Sequence, residues 1–375
     1  MHWNCPSCSD ESRILTRVTP RTLLRQPVAK RTERTIAEFS LIRAIARRFG
    51  GHARQLIKGI GDDAAVIKAP PSVWWHVTTD LLAEGVHFDL QRADPRTVGY
   101  RAAIANLSDI AAMGATPRYL FMALAIPRGF ASRSVLSLYD GLMEACRSHH
   151  VALIGGDTSA SCAGLFVSIT LIGTSAAGQA LFRRGAAVGD HIYVTGTLGD
   201  SLAGLRLLKE RRPSWPARHR RHSLPAKDRQ FLIERHLRPS VRLKEGQWLN
   251  RKSLATAAID LSDGLSGDLR HICEESGVGA EIDGDALPLS AACRTYAAAY
   301  GVSPVDLALR GGEDYELLFT VPPSLKATIE RQARRRGFQI TRIGVIRPQR
   351  FGIQLTGAGG TLRPMPVTSY EHRFS

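Results

Sequence analysis

Acidic residues recur in this sequence within short motifs rich in small and apolar residues. The first motif is GIGDDAAVI, residues 59–67, in which Asp62 and Asp63 follow two glycines. Its first six residues fit G-x-G-x-x-A, a turn that can bind the pyrophosphate of a dinucleotide. A turn of that kind runs into a helix whose N-terminus holds the phosphate, whereas this one runs into a short apolar run stopped by Pro70 and Pro71. Two carboxylates would also repel phosphate. The sequence contains no Gly-Lys pair, so a Walker-type phosphate loop is excluded as well.

Five further motifs repeat this design. They are VTTDLLAEG with Asp80, ANLSDIAAMGA with Asp109, LIGGDTS with Asp157, AIDLSDGLSGDL with Asp260 and Asp263, and RGGEDYELLF with Glu313 and Asp314. Taken singly, each acid is explained by helix capping or a turn. As a set, these acids stand beside Gly, Ala, Ile, Leu and Met, with few Lys or Arg nearby. This pattern predicts partly buried carboxylates that need a cation.

The donor types indicate which cation that is. Besides carboxylates, the motifs offer the hydroxyls of Thr78, Thr79 and Ser262. Such an all-oxygen set favours Mg²⁺ over zinc. Magnesium held by carboxylates usually completes its shell with substrate phosphates. The sequence therefore predicts metal-assisted phosphate chemistry, and no Ser/His/Asp or Cys/His catalytic set is evident.

The positive charge of the chain is concentrated in two segments. Residues 1–35 hold seven Lys/Arg and three Asp/Glu, and residues 206–244 hold thirteen and three, which accounts for +14 of the net +16. The rest of the chain is nearly neutral. A nucleic-acid-binding protein that uses these two segments is the alternative from another class. It is disfavoured because the charges lack interleaved aromatic residues and because it leaves the acidic motifs unexplained.

Composition bounds the class and compartment of the protein. A chain of 375 residues, 44% hydrophobic, can bury the cores of two or three domains. No run approaches about 18 apolar residues and the N-terminus lacks an apolar h-region, so we expect neither a membrane span nor a secretory signal. Six scattered cysteines do not form a disulfide framework, and Cys5 and Cys8 lack a second pair to complete a zinc ribbon. We expect a cytoplasmic protein.

The order of predicted elements divides the chain. Residues 1–35 show no periodicity and are interpreted as a disordered basic tail, with an incorrectly assigned start as the alternative. From residue 36 onward the segment TIAEFSLIRAIARRF has helical spacing, and strand-like and helix-like runs then alternate. A Gly-rich stretch places a boundary near Thr174. We predict two units, residues 36–174 and residues 175–375 with a basic loop at 211–227, and the alternation favours α/β or α+β folds for them.

At these residues the sequence resembles the thiamine-monophosphate kinase family. That family belongs to the superfamily of aminoimidazole ribonucleotide synthetase, selenophosphate synthetase and a hydrogenase-maturation protein. The resemblance covers roughly residues 36–372 and is carried by GIGDDAAVI, TTDLLAEGVHF, NLSDIAAMGATP, LIGGDTS, VTGTLGDSLAGL, RHLRPS, AIDLSDGLSGDL and GGEDYELLFT, in that order. GGDTS and DLSDGL alone would mark only the superfamily, whereas TTDLLAEGVHF and GGEDYELLF indicate the kinase.

The resemblance implies a two-domain, aminoimidazole-ribonucleotide-synthetase-like fold. Its α/β N-terminal domain, residues 36–174 here, carries the metal and ATP site and pairs in a homodimer, and an α+β C-terminal domain, residues 175–375, follows. It also implies direct in-line transfer of the γ-phosphoryl group of ATP to thiamine monophosphate. The implied Mg²⁺ ligands are Asp63, Asp80, Asp109, Asp157, Asp260 and Asp263, assisted by Thr78 and Thr79. Positions that meet the nucleotide are Gly156, Asp157, Arg183, Ser262 and Tyr139. Positions that meet thiamine monophosphate are His87, Glu313 and Tyr370. The residues expected to act on the transferred phosphoryl group are Asp80, Asp157, Asp263 and Arg183.

Other readings stay open at this point. Another superfamily member with a different acceptor is the nearest alternative, although the chain lacks a reactive cysteine in a Gly-rich N-terminal setting and a C-terminal cysteine. His87 could be a satisfied, half-buried histidine, and Arg183 could be a solvated loop charge. Asp62 could cap its turn, and Asp314 could be structural beside a functional Glu313. The tail and the basic loop lie outside the motifs, so they bear on partners rather than on chemistry.

Overall fold

The computed structural model describes residues 36–37, 56–58, 62–69, 71–210, 224–357, 360–366, 368–370 and 373–374. The strands are β1 (Ile36–Ala37), β2 (Leu56–Lys58), β3 (Ala65–Ala69), β4 (Val73–Ala83), β5 (Thr116–Pro127), β6 (Ala152–Ser161), β7 (Phe166–Ala176), β8 (His191–Thr195), β9 (Ala257–Asp260), β10 (Val278–Asp283), β11 (Leu317–Val321), β12 (Ile340–Pro348), β13 (Ile353–Thr356), β14 (Leu362–Pro364) and β15 (Arg373–Phe374). The helices are α1 (Pro95–Ala112), α2 (Ser132–Ser148), α3 (Asp200–Lys209), α4 (Ala226–Leu237), α5 (Leu243–Arg251), α6 (Leu265–Ser276), α7 (Ala291–Tyr300), α8 (Pro304–Arg310) and α9 (Lys326–Arg336).

Some predictions fall outside these ranges. The basic tail, most of the predicted first helix and residues 211–223 of the basic loop are not among the described residues. At the start of that predicted helix the structure has a strand instead, because β1 pairs antiparallel with β15. The predicted loop also ends earlier than expected, since α4 already begins at Ala226.

The first sheet has six strands in the order β2-β3-β4-β7-β5-β6. Its neighbouring strands are antiparallel except β5 and β6. Helices α1 and α2 lie on one face of this sheet. Helix α1 starts cleanly, because the Asp94 side chain accepts from the Thr97 amide at 2.7 Å and Pro95 occupies the first turn.

Helix α1 lies at the centre of the molecule. It contacts α2, the first sheet, and β9 and α5 of the second half of the chain. Glycines make the α1–α2 contact possible: a Cβ at Gly99 would lie 1.9 Å from the Leu138 carbonyl oxygen, and one at Gly141 would lie 1.7 Å from that of Arg96. Most of α1 is buried, with small side chains such as Ala102 and Ala103 fully enclosed. The helix is therefore held tightly between its neighbours.

The second sheet has seven strands in the order β14-β13-β10-β12-β8-β11-β9. Neighbours are antiparallel except β10 and β13. Strands β9 and β11 are buried along their whole length, and all their residues except Asp260 and Thr320 are apolar. The predicted fold class, α/β followed by α+β, is confirmed. The break between the sheets falls between Ala176 and His191; the domain boundary near Thr174 stays a prediction.

Among the residues that the structure describes, no helix has both the length and the apolar character needed to span a membrane.

Candidate active site

Three carboxylates from distant parts of the chain meet where the two halves of the molecule touch. Asp63 precedes β3, Asp109 lies on α1 and Asp260 ends β9. Each places one carboxylate oxygen within 4.8 Å of the others. Asp63 and Asp260 are buried, and Asp109 is half-buried. We call these three residues the acidic cluster.

Hydroxyl groups orient the acidic cluster. The Ser108 hydroxyl donates to Oδ2 of Asp260 at 2.6 Å. The Thr78 hydroxyl donates to Oδ2 of Asp109. Helix α1 contacts β9, which brings Asp109 and Asp260 together, and it also packs on β4, which carries Thr78. Asp80, two residues after Thr78, lies on the same face of β4 and is half-buried.

Burial and mutual repulsion disfavour the charged forms of these acids. Burial raises the pKa of Asp109 well above its usual range, and the nearby Asp80, Asp260 and Asp63 add to the effect. Burial likewise raises the pKa of Asp260, with Asp63 contributing. Burial raises the pKa of Asp80 to about 6. Ionised together, these carboxylates need a cation to offset their repulsion.

One arginine lies against the acidic cluster. Arg183 donates to both oxygens of Asp63, from Nη2 at 2.9 Å and from Nε at 3.2 Å. Asp62 beside it accepts from the Asp63 amide at 3.1 Å, so it does cap its turn. Its Oδ2 is nevertheless buried without a hydrogen-bond partner, and burial raises its pKa to about 7, with the charge of Asp63 adding to the effect. Arg184 is exposed, with its guanidinium 5.4 Å from the centre of the Phe182 ring.

This donor set fits magnesium. The acidic cluster offers three closely spaced oxygens, Asp80 adds a fourth carboxylate nearby, and Oδ2 of Asp62 is a buried oxygen without a hydrogen bond. Hard oxygen donors, with no sulfur or imidazole among them, match the preference of Mg²⁺. Arg183, together with Lys58, whose Nζ lies 3.7 Å from Oδ2 of Asp62, offsets only part of the negative charge that these acids carry when ionised.

The loop between β9 and α6 holds Ser262 and Asp263 next to the cluster. The buried Asp268 side chain fixes this loop, since Oδ2 accepts from the amides of Gly264 at 3.0 Å and Asp263 at 3.3 Å. The Asp263 charge adds to burial in raising the pKa of Asp268. Sequence reasoning missed Asp268 and Ser108. Both stand inside motifs already singled out, DLSDGLSGDL and NLSDIAAM, and that was the available signal.

The GGEDY loop is bonded directly to that same loop. The Glu313 amide donates to the Ser262 carbonyl at 2.8 Å, and the Tyr315 amide donates to the Leu261 carbonyl at 3.0 Å. Both Glu313 (φ 61°) and Tyr315 (φ 52°) have left-handed backbone conformations, which non-glycine residues seldom adopt. Asp314 is structural, as the alternative interpretation held. Its carboxylate accepts from backbone amides at the start of α3, Gly199 at 2.6 Å and Ser201 at 3.1 Å.

Two further predicted residues lie around this centre. Nδ1 of His87 accepts from the Ala83 amide at 3.0 Å, so the neutral ring carries its proton on Nε2. The Tyr370 amide donates to the Asp263 carbonyl at 3.1 Å, and the Tyr370 side chain is 49% exposed. Glu313, His87 and Tyr370 are thus attached to the backbone elements that surround the acidic cluster.

Other predicted residues lie elsewhere. Thr79 follows Thr78 on β4, so its side chain is on the opposite, open face of the sheet, where it donates to the Ile169 carbonyl at 2.9 Å. Asp157 is on that open face too, opposite Ala123, and it lies within β6 rather than just after a strand as predicted. Tyr139 is half-buried on α2. A Cβ at Gly156 would lie 1.9 Å from the Met122 carbonyl oxygen, so sheet packing alone requires glycine there.

Both halves of the chain match one class of protein. The family model of the AIR synthase related protein, N-terminal domain, matches residues 61–175, and that of its C-terminal domain matches residues 187–355. The chain is therefore an AIR synthase related protein.

Individual relatives narrow this class. The chain is 39% identical to thiamine-monophosphate kinase of Salmonella typhimurium strain LT2 over 340 residues, which is 89% of this chain and 98% of that protein. The structure of AaThiL complexed with AMPPCP and TMP is similar with a TM-score of 0.74 and 33% identity, over 90% of this chain and 97% of that one. For thiamine-monophosphate kinase from Stenotrophomonas maltophilia K279a the TM-score is 0.66 and the identity 36%, over 84% and 95% of the chains. This chain belongs to the thiamine-monophosphate kinase family.

Proposed function

We propose that this protein transfers the γ-phosphoryl group of ATP to thiamine monophosphate, which gives thiamine diphosphate and ADP. The observation that carries the proposal is the acidic cluster of Asp63, Asp109 and Asp260, formed between two domains of a fold shared with thiamine-monophosphate kinases. A related structure holds AMPPCP and TMP together, which supports both substrates.

Magnesium would be held by the acidic cluster together with Asp80 and Asp263. When bound, it would neutralise charge between two phosphate groups that otherwise repel each other. The protein contributes the fixed positions of these oxygens, because Ser108 and Thr78 orient Asp260 and Asp109. Asp157 and Thr79 join this set in the proposal, although they lie on the open face of the sheet.

The nucleotide is assigned to Arg183 and Ser262 beside the cluster, with Gly156 of β6 and Tyr139 of α2 as further contacts. The Arg183 guanidinium donates two hydrogen bonds to Asp63. When a cation coordinates Asp63 instead, the same two donors could bind a phosphate group in a bidentate manner.

The acceptor is assigned to His87, Glu313 and Tyr370. The proton on Nε2 of His87 suits a phosphate or ring-nitrogen acceptor, since Nδ1 is already engaged. The Glu313 carboxylate suits the cationic thiazolium ring or the amino group of the pyrimidine. The half-exposed Tyr370 ring offers a stacking surface for an aromatic ligand.

The chemical step needs positioning more than proton transfer. A phosphate monoester has its second pKa near ~6, so it is mostly dianionic at pH 7 and needs no general base. One of its oxygens forms a bond to the γ-phosphorus while the bond to the bridging oxygen breaks, and that electron pair leaves with ADP. The residues hold the two groups in line, and no phospho-enzyme is formed.

A homodimer is part of the proposal. The open face of the first sheet exposes large apolar side chains, among them Trp75 (46%), Tyr119 (47%) and Ile154 (52%). A contiguous apolar face on a sheet is typical of a protein interface. A second copy on this face would also enclose Asp157 and Thr79, which otherwise face solvent.

We place the protein in a reducing compartment, the cytoplasm. Cys146, Cys162, Cys273 and Cys293 form no disulfide in the described part of the chain. Burial raises the pKa of Cys146, Cys273 and Cys293 to about 12, so these thiols are unreactive.

The test is substrate-dependent release of ADP. Purified protein is incubated with ATP and Mg²⁺, with and without thiamine monophosphate, and thiamine diphosphate is quantified by chromatography. We expect ADP and thiamine diphosphate to appear one for one, and no product when EDTA replaces Mg²⁺. A folded protein that makes no product would contradict the proposal, and aminoimidazole-type and selenide acceptors would then be assayed in the same way.

A further inference from the structure

Arg101 is a buried arginine that the proposed chemistry does not use. It lies on α1, and its side chain is only 3% exposed. Its Nη2 donates to Oε1 of Glu313, and its Nη1 lies 3.4 Å from the carbonyl oxygen of His87. Both contacts go to residues assigned to the acceptor, one in each half of the molecule. The Glu313 side chain is 29% exposed, so the guanidinium lies behind the carboxylate, away from solvent.

The position of Arg101 on α1 relates the acceptor side to the acidic cluster. Arg101 and Ser108 are seven residues apart, which is two helical turns and a rise of about 10 Å on the same face. Ser108 contacts Asp260, and Arg101 contacts Glu313. One rigid helix therefore sets the separation between the phosphoryl-transfer centre and the acceptor carboxylate.

The backbone of Glu313 is already fixed, so its side chain is what remains to be placed. Its left-handed conformation is held by the hydrogen bond to Ser262, and the next residue is anchored at α3. Oε2 of Glu313 lies 3.6 Å from Nδ1 of His236. Burial lowers the pKa of His236 to about 4, so that ring is neutral at pH 7. The positive charge at Glu313 then comes from Arg101.

Stability alone is a poor explanation for this arginine. Its Nε is buried without a hydrogen-bond partner. A buried ion pair is weak support for a fold, because desolvation offsets most of the attraction, and an unsatisfied N–H adds a further cost. A residue that is costly to bury and that touches two acceptor-side residues is better explained by its effect on that site.

We propose that Arg101 is a positioning residue for the acceptor: it holds the Glu313 carboxylate and the His87 loop in register across the two domains. This inference rests on the proposed function, since Glu313 and His87 are assigned to thiamine monophosphate there. Arg101 itself does not contact the reacting atoms. Its loss should weaken acceptor binding and leave the nucleotide side intact.

The experiment compares Arg101→Gln with Arg96→Gln in the full-length enzyme. Arg96 is on the same helix, and its side chain is 54% exposed beside Glu144, so it is a matched control. For Arg101→Gln we expect KM for thiamine monophosphate to rise about tenfold or more, while KM for ATP changes less than about threefold. Arg96→Gln should leave both constants unchanged. Arg101→Lys keeps the positive charge but lacks the planar guanidinium, so its affinity for thiamine monophosphate should lie between those of the wild type and Arg101→Gln.

A double-mutant cycle with Glu313→Gln separates positioning from general destabilisation. If Arg101 acts partly through Glu313, the loss of acceptor affinity in the double variant should be smaller than the sum of the two single losses, and what remains beyond Glu313→Gln alone reports the contact with the His87 loop. Titration with Mg²⁺–AMPPCP measures nucleotide binding by each variant, and a wild-type Kd shows that the variant is folded. An unchanged KM for thiamine monophosphate, equal rises for both substrates, or additive losses would overturn the role of Arg101 while the function stands. A wild-type enzyme that does not use thiamine monophosphate would overturn both.

Discussion

At the scale of residues, the acidic cluster is the feature from which most of the chemistry follows. Asp63 and Asp260 are buried, and Asp109 lies between them with a hydroxyl on its carboxylate. Carboxylates this close cannot all ionise without a partner. The cluster therefore suits a divalent cation such as the proposed Mg²⁺, whose charge would offset the repulsion among these carboxylates.

Replacing one of the proposed ligands should abolish turnover without unfolding the protein. We expect Asp80→Asn and Asp263→Asn each to lower kcat about 100-fold or more, because a neutral amide cannot hold a divalent ion beside developing negative charge. Asp140→Asn, an exposed acid on α2, is the control. Activity and circular dichroism are measured on all three variants. Near-normal kcat in either ligand variant would contradict the metal site.

The same acids predict a pH-dependent response to magnesium. Folding raises the pKa of Asp80 from 3.8 to about 6, so the folded state binds this proton more tightly than the unfolded state. The free energy of unfolding of the metal-free protein therefore falls as pH rises from about 4 to about 6. Mg²⁺ competes for the same oxygens, so it should stabilise more at pH 8 than at pH 5.

Thermal unfolding with and without Mg²⁺ measures this. At ten times Kd the metal contributes about 1.4 kcal/mol, or roughly 2 °C in Tm for a chain of this length, at pH 8, and close to zero at pH 5. Ca²⁺ at the same ionic strength shows whether the Tm increase depends on the identity of the metal. NaCl at the same ionic strength shows how much of it comes from screening of charge repulsion by salt. A Tm increase that is equal at both pH values would argue against carboxylate ligands.

At the scale of elements, helix α1 organises the site. It carries Asp109 and Ser108 toward the cluster and Arg101 toward Glu313, and it is packed against α2 without room for side chains at two glycines. The loops DLSDG and GGEDY are joined by backbone hydrogen bonds, which link Ser262, proposed to meet the nucleotide, directly to Glu313, proposed to meet the acceptor.

Adding one methyl group between α1 and α2 should therefore destabilise the whole fold. In Gly141→Ala the new Cβ would lie 1.7 Å from the Arg96 carbonyl, which forces the helices apart. We expect a loss of about 1–3 kcal/mol in the free energy of unfolding, measured by urea denaturation. Asp140→Ala introduces the same side chain at the exposed neighbouring position and should change stability by about 0.5 kcal/mol or less. Equal effects in the two variants would refute the packing argument.

At the scale of the whole molecule, the open face of the first sheet is unlike the covered one. Large apolar side chains stand on it together with Asp157 and Thr79, two residues predicted to bind metal. Within one copy of the chain, Asp157 and Thr79 lie on the opposite face of the sheet from Asp80. The dimer proposal and the proposed roles of these two residues are therefore linked.

A charge on this face should prevent pairing. We expect Tyr119→Asp to shift the protein from dimer to monomer in sedimentation velocity, because the introduced carboxylate would be buried without a partner. Val188→Asp, which replaces another exposed apolar residue, 59% accessible and away from the first sheet, is the control. A wild-type protein that sediments as a monomer would refute the dimer directly.

Much of the site was readable from the sequence, because its motifs combine carboxylates with glycine and apolar residues, a pattern that turns and caps do not explain. The fold class followed from the alternation of strand-like and helix-like runs and is confirmed. Asp109 was predicted on a helix, where it lies, whereas Asp260 was expected between a strand and a helix and is instead the last residue of β9. Asp268 and Ser108 were missed because their importance lies in what they bond to, which sequence spacing does not show.

The sequence by itself determined the chemistry: the hard oxygen donors, the motifs that carry them and the family to which the chain belongs. Only the tertiary structure decided which of these donors meet. Adjacent residues on a strand face opposite sides, so Thr78 joins the cluster and Thr79 does not, although both stand in one motif. It also revealed Arg101, whose partners are 14 residues before it and 212 after it in the chain. Such contacts form when helices and strands that are distant in sequence pack together, so the local sequence around Arg101 does not predict them.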